Sequence, residues 1–562
     1  MNRRQMLAPL TCFSGAVAIK AQNSIPSLPT AGGNPVAVFN PRHFGAVGDG
    51  NFLDSPAINA AIDACNKTGG GVVYLSPGNY LSGTVVLKSK VCLYLEAGAV
   101  LLGSKNLSDY SPQPGPKFYE DAGQRHLIFA RDAENVGLAG PGEIDGQGSS
   151  FWIPSNRKPV SEDQEWTDAI HHNWSHRDRV SPMIELVNCT NLRIEGIRIC
   201  GASGWTMRPI NCNNVLIQSV AIKNPVYGPN TDGIDVTSCK NVLISDCIID
   251  TGDDAICLKS ENPYGDSPQI SQNIVVTNCI ITGCCNGFKV GTATQGGFEN
   301  ITFSNSVIYN DDVALPSRLI AGIAIEMVDG GWINGIVITG IQMRRARAPI
   351  FIRRGNRSSP HKFPQTGLRG VMIDGVHATD AILTSSITGI PEMEVEDVSL
   401  SNITIDTVMP GKRDWVKSPV PEVPKKYPES RMFGWLPASG LYCRHVRGLR
   451  LKDINFRAPM DEWRPTIICD DVKDLMLSGF STTSVREGVP PISLIDVDKA
   501  WLFGAAAPAE AKSLLSLQGK HTNNILITGC DVREATRLVE FRNGAAPNVV
   551  HGEFNSIKEQ GV

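Results

Sequence analysis

Two short acidic segments carry the residue types for proton-transfer chemistry: Asn230-Thr231-Asp232-Gly233-Ile234-Asp235 and Gly252-Asp253-Asp254-Ala255. Asp232 precedes Asp253 and Asp254 by 21 and 22 residues, the length of one turn of a repeating structure, so the three carboxyls are expected side by side at equivalent corners. Crowded carboxylates repel, their pKa values spread, and a proton-bearing acid then coexists with an ionised base at one pH. Hydrolysis of a glycosidic bond uses that division: one carboxylic acid protonates the leaving oxygen while a carboxylate activates water or attacks the sugar. An Asp in a turn also serves simply to accept backbone hydrogen bonds, so the chemistry depends on the elements that bring the two segments together.

Those elements are visible as an internal repeat. The copies NLRIEGIRI from Asn191, NVLIQSVAI from Asn214, NVLISDCII from Asn241, NIVVTNCII from Asn273 and NITFSNSVI from Asn300 start 23, 27, 32 and 27 residues apart. Weaker copies begin at Gly335, Asp397, Gly448, Asp474 and Asn524. Each reads as two short strands of period two joined at a polar or Gly corner, the pattern of an all-β parallel solenoid, or β-helix. One coil cannot bury its apolar face alone, so coils stack at the roughly 4.8 Å strand spacing into a continuous core. The leading Asn residues are expected to form a ladder, each side chain bonding backbone groups of the next coil. Apolar residues at helical spacing between Asp54 and Cys65 predict an N-terminal helix closing the open end of the core.

The rest of the chain bounds the function. With 562 residues, 42% hydrophobic and 19% charged, it reads as globular, and 52 basic against 56 acidic residues without a long single-sign block give no footing for a nucleic-acid partner. The start, MNRRQMLAPLTCFSGAVA, has Arg3 and Arg4 before a short apolar run, so residues 1–21 read as a signal peptide with some likeness to a twin-arginine signal. A secreted or periplasmic monomer with no membrane insertion is expected, forming a single β-helix domain over residues 36–558. Two segments break the repeat, about 151–181 and 409–437, and are expected as loops over a ligand face, with Trp152, Trp166, Trp174, Trp415 and Trp435 offered to sugar rings. Cys189, Cys212 and Cys239 each stand two residues before a repeat Asn, and Cys247, Cys279 and Cys530 six residues after one. That recurrence predicts buried stacks of free thiols; Cys284-Cys285 fits no such place.

Together the motifs resemble glycoside hydrolase family 28, the polygalacturonase family of right-handed parallel β-helices, along nearly the whole mature chain. The opening Phe44-Gly45-Ala46-Val47-Gly48-Asp49-Gly50, the run GGGVVYLSPGNYLSGTVVL, and Gly140-Pro141-Gly142-Glu143-Ile144-Asp145-Gly146 match shared signatures, and NTDG at Asn230 with GDD at Gly252 match the acidic ones. The resemblance implies that Asp253 is the general acid and that Asp232 with Asp254 holds the attacking water, in an inverting mechanism without metal or cofactor. It also locates two departures. Asn286 stands where a Gly-His-Gly histidine is expected, and Ala324-Ile325-Glu326 replaces an Arg-Ile-Lys whose cations hold a galacturonate carboxylate. A carboxylate opposite another reverses the sign of that clamp, so a neutral or deoxy sugar released from a chain end is expected there. Lys259, Lys289, Arg344, Arg353 and Arg354 remain as compensating cations.

The residues expected around a polysaccharide or oligosaccharide substrate are therefore Asn230, Asp235, Lys259, Asn286, Lys289, Glu326 and Arg353. Two other readings share the fold. A polysaccharide lyase would need calcium and a Lys or Arg base, and a non-catalytic carbohydrate-binding β-helix would have acids without a role.

Overall fold

A computed structural model describes residues 37–113, 125–155, 174–176, 178–265, 269–311, 318–357, 367–459, 461–483, 486, 488–509, 511–553 and 555–557. The expected signal segment 1–21 and most of the first expected loop, Trp166 included, lie outside the described residues.

The chain winds as a parallel β-helix in which each strand pairs in parallel with its equivalent one coil on. Leu192, Val215, Val242, Ile274, Ile301, Ile336, Val371, Val398, Leu449 and Leu475 follow one another in register. All are buried, so this single ladder runs through the core over most of its length. The residue opening each copy has a positive φ: 57° at Asn191, 58° at Asn214, 51° at Asp397, 72° at Gly448. Only Gly, Asn and Asp enter that left-handed region readily, and that restriction made the repeat readable. Two copies escaped the sequence reading: Gly370-Val371-Met372-Ile373, whose Gly370 has φ 68°, and Lys499-Ala500-Trp501-Leu502, whose Lys499 has φ 61° and whose Ala500 pairs between Leu475 and Ile525.

The Asn ladder exists, with different bonds from those expected. Asn191 donates to the Asn135 side chain at 3.1 Å, Asn214 to Asn191 at 3.1 Å, Asn273 to Asn241 at 2.9 Å and Asn300 to Asn273 at 3.1 Å. The side chains bond one another rather than backbone, because an amide carries both donor and acceptor and can propagate a chain. The expected helix is present as α1 (Ser55–Lys67), which turns Ala57, Ile58, Ala61, Ile62 and Cys65 into the core. Cys189, Cys212 and Cys239 stack: Cys212 Sγ accepts from the Cys189 amide at 3.3 Å and Cys239 Sγ from the Cys212 amide at 3.4 Å, and the cysteines of the described residues are free thiols.

One sheet carries the site. Its strands, in chain order and each paired with the next, are β1 (Ile184–Val187), β2 (Met207–Ile210), β3 (Ile234–Thr237), β4 (Ile256–Ser260), β5 (Asn286–Thr294), β6 (Ala321–Met327) and β7 (Ala348–Arg354). The sheet continues through β8 (Ser385–Thr388), β9 (Leu441–Arg457), β10 (Ile467–Thr482), β11 (Ile492–Ile495), β12 (Ser513–Gln518) and β13 (Arg537–Arg542). Alternation puts Glu185, Arg208, Asp235, Cys257, Lys289, Ala324 and Phe351 in one row, opposite in pointing to the core row of Ile256, Phe288 and Ile323.

The segment 409–437 lies across this outer face. Met432, Phe433, Leu436 and Ala438 pack on Ala321, Ala324, Phe351, Tyr442 and Ile468. Polar ties fix it: Ser430 Oγ donates to Ile320 O at 2.8 Å, and Arg464 to Leu436 O at 3.2 Å.

Candidate active site

The corners before β3 and β4 stack directly. Gly233 N donates to Asp254 O at 2.9 Å, and Thr206 N to Asp232 O at 2.9 Å, so Asp232 and the Asp253-Asp254 pair occupy successive coils at one edge. Thr231 Oγ1 accepts from Gly252 N at 3.2 Å and donates to Gly228 O at 2.9 Å, locking the two motifs together. A Cβ at Gly252 would lie 2.4 Å from that hydroxyl, which explains the glycine of the GDD segment.

Each carboxyl meets a different environment. Asp253 is half-buried; its Oδ1 accepts from the Asp254 amide at 2.8 Å, and its Oδ2 is 3.5 Å from Asn230 Nδ2. Asp254 is buried, with Oδ1 accepting from Asn286 N at 3.1 Å and Nδ2 at 2.6 Å, and Oδ2 from Lys289 Nζ at 2.9 Å. Burial opposes its ionisation, but Lys289, Lys259 and these hydrogen bonds outweigh that and hold its carboxyl below the usual range. Asp232 is buried beside Asp253, Asp235 and Asp254; desolvation first, then those charges, push its carboxyl well up. An acid that retains its proton therefore sits next to a carboxylate that does not, which is the asymmetry acid–base hydrolysis requires.

The cations divide between two buried pairs. Lys259 Nζ lies 3.1 Å from Asp235 Oδ1 and 5.0 Å from the centre of the Trp205 ring. Burial still raises Asp235 to about 6 against the pull of Lys259. Lys289 donates to Asp254, lies 3.3 Å from Glu326 Oε2, and donates to the Tyr427 hydroxyl at 3.1 Å. Burial lifts Glu326 to about 7 although Lys289 opposes it.

Of the residues expected to bind substrate, Asn230, Asn286 and Lys289 gather around the three carboxyls. Three others need correction. Glu326 has no exposed surface and is matched to Lys289, so it presents no bare negative charge to a ligand. Arg353, adjacent to Glu326 in register, is buried beneath the loop, donating to Gly389 O at 2.8 Å and Glu422 O at 2.6 Å. Its guanidinium fastens the loop. Asp235 is buried against Lys259. Arg354 is also buried, while Arg344 is exposed and pairs with Asp311.

The aromatic residues are arranged differently from expectation as well. Trp415 and Trp435 stack on each other at 4.1 Å, and Trp152 is buried, meeting Tyr227 edge-on at 5.8 Å. The exposed rings are Tyr227, just before the first acidic motif, and Tyr427, beside Lys289. The sequence reading also missed Cys285, whose sulfur and the Asp253 and Asp254 oxygens lie within 4.8 Å of one another. Burial and the neighbouring carboxylates push that thiol well up, so it stays protonated.

The fold is a parallel β-helix with carboxyls clustered at the outer edge of one sheet. The chain belongs to the glycosyl hydrolases family 28, whose model matches residues 81–418, while the rhamnogalacturonase A/epimerase, pectate lyase-like model matches residues 38–106. A probable polygalacturonase of Vitis vinifera is 27% identical over 389 residues, 66% of this chain and 74% of that protein. The exo-poly-alpha-D-galacturonosidase of Dickeya chrysanthemi is 26% identical over 340 residues, 55% of each chain. Among solved structures, a hyperthermoactive exopolygalacturonase from Thermotoga maritima superposes with a TM-score of 0.54 at 24% identity, covering 66% of this chain and 88% of that one, a likeness of fold. Among the described residues, no helix is long and apolar enough to cross a membrane.

Proposed function

We propose that this protein is an exported, inverting, exo-acting glycosidase that removes a neutral or deoxy sugar from the end of a pectin-type polysaccharide or its oligosaccharides. The observation that carries the chemistry is an ionised Asp254, held by Lys289 and Asn286, beside Asp232, at which protonation is favoured, and the half-buried Asp253 at the same corner. Asp253, the half-buried member, donates its proton to the glycosidic oxygen as the bond from that oxygen to the anomeric carbon breaks. Water held by Asp232 and Asp254 attacks the opposite face of the same carbon and gives up its proton to the carboxylate, so acid and base exchange forms and configuration inverts.

The substrate reading is supported by what covers the sheet. Ala324, where the resemblance expects a cation, is wholly buried beneath the loop that carries Met432 and Phe433. Lys289 and Lys259 are occupied by buried acids, so a uronate carboxylate there would be desolvated without a dedicated partner. The same loop covers the outward row at β6 and β7, two coils beyond Asp254, and a cover that close to the carboxyls favours attack at a chain end. Proton NMR of the first-formed product, over a panel of neutral and uronic oligosaccharides, tests the proposal. A single inverted neutral monosaccharide is expected; retained configuration, or random cleavage of polygalacturonate as fast as any other substrate, overturns it.

A further inference from the structure

The loop that covers Ala324 and Phe351 also forms a wall of a cavity of about 580 Å³, farther along the same sheet face. Its floor is the continuation of the outward rows through β9 to β12: Tyr442, Ile468 and Ser493, with Arg444, Asp470, Ile495 and Gln518 beside them. It lies five coils beyond the catalytic carboxyls, roughly 24 Å at the spacing of paired strands. Val416, Lys417 and Val420 of the loop stand over it, whereas Tyr427 of the same loop reaches Lys289. One segment thus runs from the carboxyl cluster to this cavity along one face.

We propose that this cavity is a non-catalytic binding site for a uronate-bearing oligosaccharide segment. Charge supports the anion. Lys417, Arg444 and Arg542 line it against one acid, Asp470. That acid is matched internally, since Arg444 Nε lies 3.3 Å from Asp470 Oδ2 and Tyr442 donates to the same oxygen at 3.2 Å. Arg542, exposed on β13, pairs with Glu540, which Arg537 also approaches at 3.3 Å, so that trio keeps one positive charge, and Lys417, exposed on the loop, adds another. Polar groups suit the sugar hydroxyls. Asn543 donates to Gln518 at 2.9 Å, and Gln518 to Ser493 at 2.9 Å, a chain of amides and a hydroxyl lying along the floor. Ile468 and Ile495 supply an apolar patch against which the C–H face of a sugar ring can pack.

The carbohydrate class rests on the proposed function, but the site does not depend on which residues are catalytic. A substrate whose cleaved sugar is neutral and whose backbone carries uronates would be held here through that backbone, on the same face as the carboxyls.

The test is calorimetric titration of trigalacturonate into the full chain carrying Asp253→Asn, at low ionic strength, with and without Lys417→Glu and Arg542→Glu. Both cations are exposed, so the fold is kept. Binding weakened at least about tenfold by the pair of reversals, and weakened by salt in the parent, is expected. Turnover of a short neutral substrate should stay within about twofold when the two reversals are placed in the wild-type chain. Equal affinity in the two proteins, or no binding of trigalacturonate by the parent, overturns the proposal. A wild-type chain that cleaves nothing in the panel, while the Asp253→Asn chain binds through Lys417 and Arg542, would sink the glycosidase reading and leave the cavity's assignment standing.

Discussion

Lys289 reaches back across one coil from β5 and sets its ammonium 2.9 Å from Asp254 Oδ2, while Glu326, one coil on, approaches the same nitrogen at 3.3 Å. The cation is shared unequally. Asp254 has the shorter contact and two further hydrogen bonds from Asn286, so it is held ionised, whereas both oxygens of Glu326 are buried without a hydrogen-bond partner and its pKa rises to about 7. A buried cation flanked by two acids carries a net negative charge at high pH and is balanced when one acid takes a proton.

If Asp253 is the proton donor, Asp253→Asn lowers turnover by at least about 10²-fold, the usual contribution of general acid catalysis. Its circular dichroism and melting temperature should match the parent, because the side chain is half-exposed and its contact with Asn230, at 3.5 Å, is replaceable by an amide. Near-normal turnover in the folded variant removes the assignment.

Lys289→Met deprives Asp254 of its main counter-charge, so the Asp254 pKa rises and the ionised base is lost at a higher pH. The acidic limb of the profile of kcat/KM against pH should then move upward by about one unit or more. A reduced rate with an unmoved limb would mean that Lys289 acts only in packing.

Glu326 also sets a pH dependence of stability. Its folded pKa, about 7, lies above the ordinary glutamate value of 4.5, so the folded state holds the proton more tightly than the unfolded state does. The resulting stability is complete below pH 4.5 and is lost as pH rises through 7. Asp235, raised from 3.8 to about 6, contributes in the same direction over a lower window. Glu326→Gln should therefore reduce the fall in melting temperature between pH 5 and pH 8. An unchanged fall would show that Glu326 is ionised throughout that range.

The repeat was legible because its corners demand a left-handed backbone, which narrows the residue types at Asn191, Asn214, Asn241, Asn273 and Asn300. Gly370 satisfies the same demand but hides between two flanking glycines, Gly367 and Gly375, in a strand of unlike residues. The acidic corners were legible for a related reason, since both lie at one place in successive coils. The pairing of Lys289 with Glu326 was not, because it joins side chains 37 residues apart in different outward rows. Nor was the cover over Ala324: Met432, Phe433 and Leu436 follow a segment rich in Pro and Lys that reads as solvated loop, and only the folded sheet shows the apolar surface they fill.

The thiol stacks give a prediction independent of the site. Cys189, Cys212 and Cys239 recur at one position of the coil and are buried, the Cys212 and Cys239 sulfurs against the amide of the coil before. Thiol counting under denaturing, non-reducing conditions should find most of the cysteines after Cys12 reactive. Fewer than about half would mean that disulfides staple the solenoid, as they do in many exported proteins.

The double variant Ala324→Arg with Glu326→Lys restores the family's cationic pattern in sequence, and the structure predicts that it fails. Ala324 is wholly buried against Met432 and Phe433, so an arginine there must displace the loop or bury its guanidinium among apolar side chains. Lysine at 326 would face Lys289, already donating to Asp254 and Tyr427, and would stand in register with buried Arg353. Two or three cations would then crowd around a single ionised acid. Breaking a buried pair by removing one partner costs about 3–5 kcal/mol, and here a like charge replaces the lost one. The expected outcome is a loss of at least about 3 kcal/mol in stability with no gain on galacturonides, read from denaturant melts and reducing-end assays. A folded double variant with new polygalacturonase activity would show instead that the loop moves aside and that the sheet beneath it is a substrate surface.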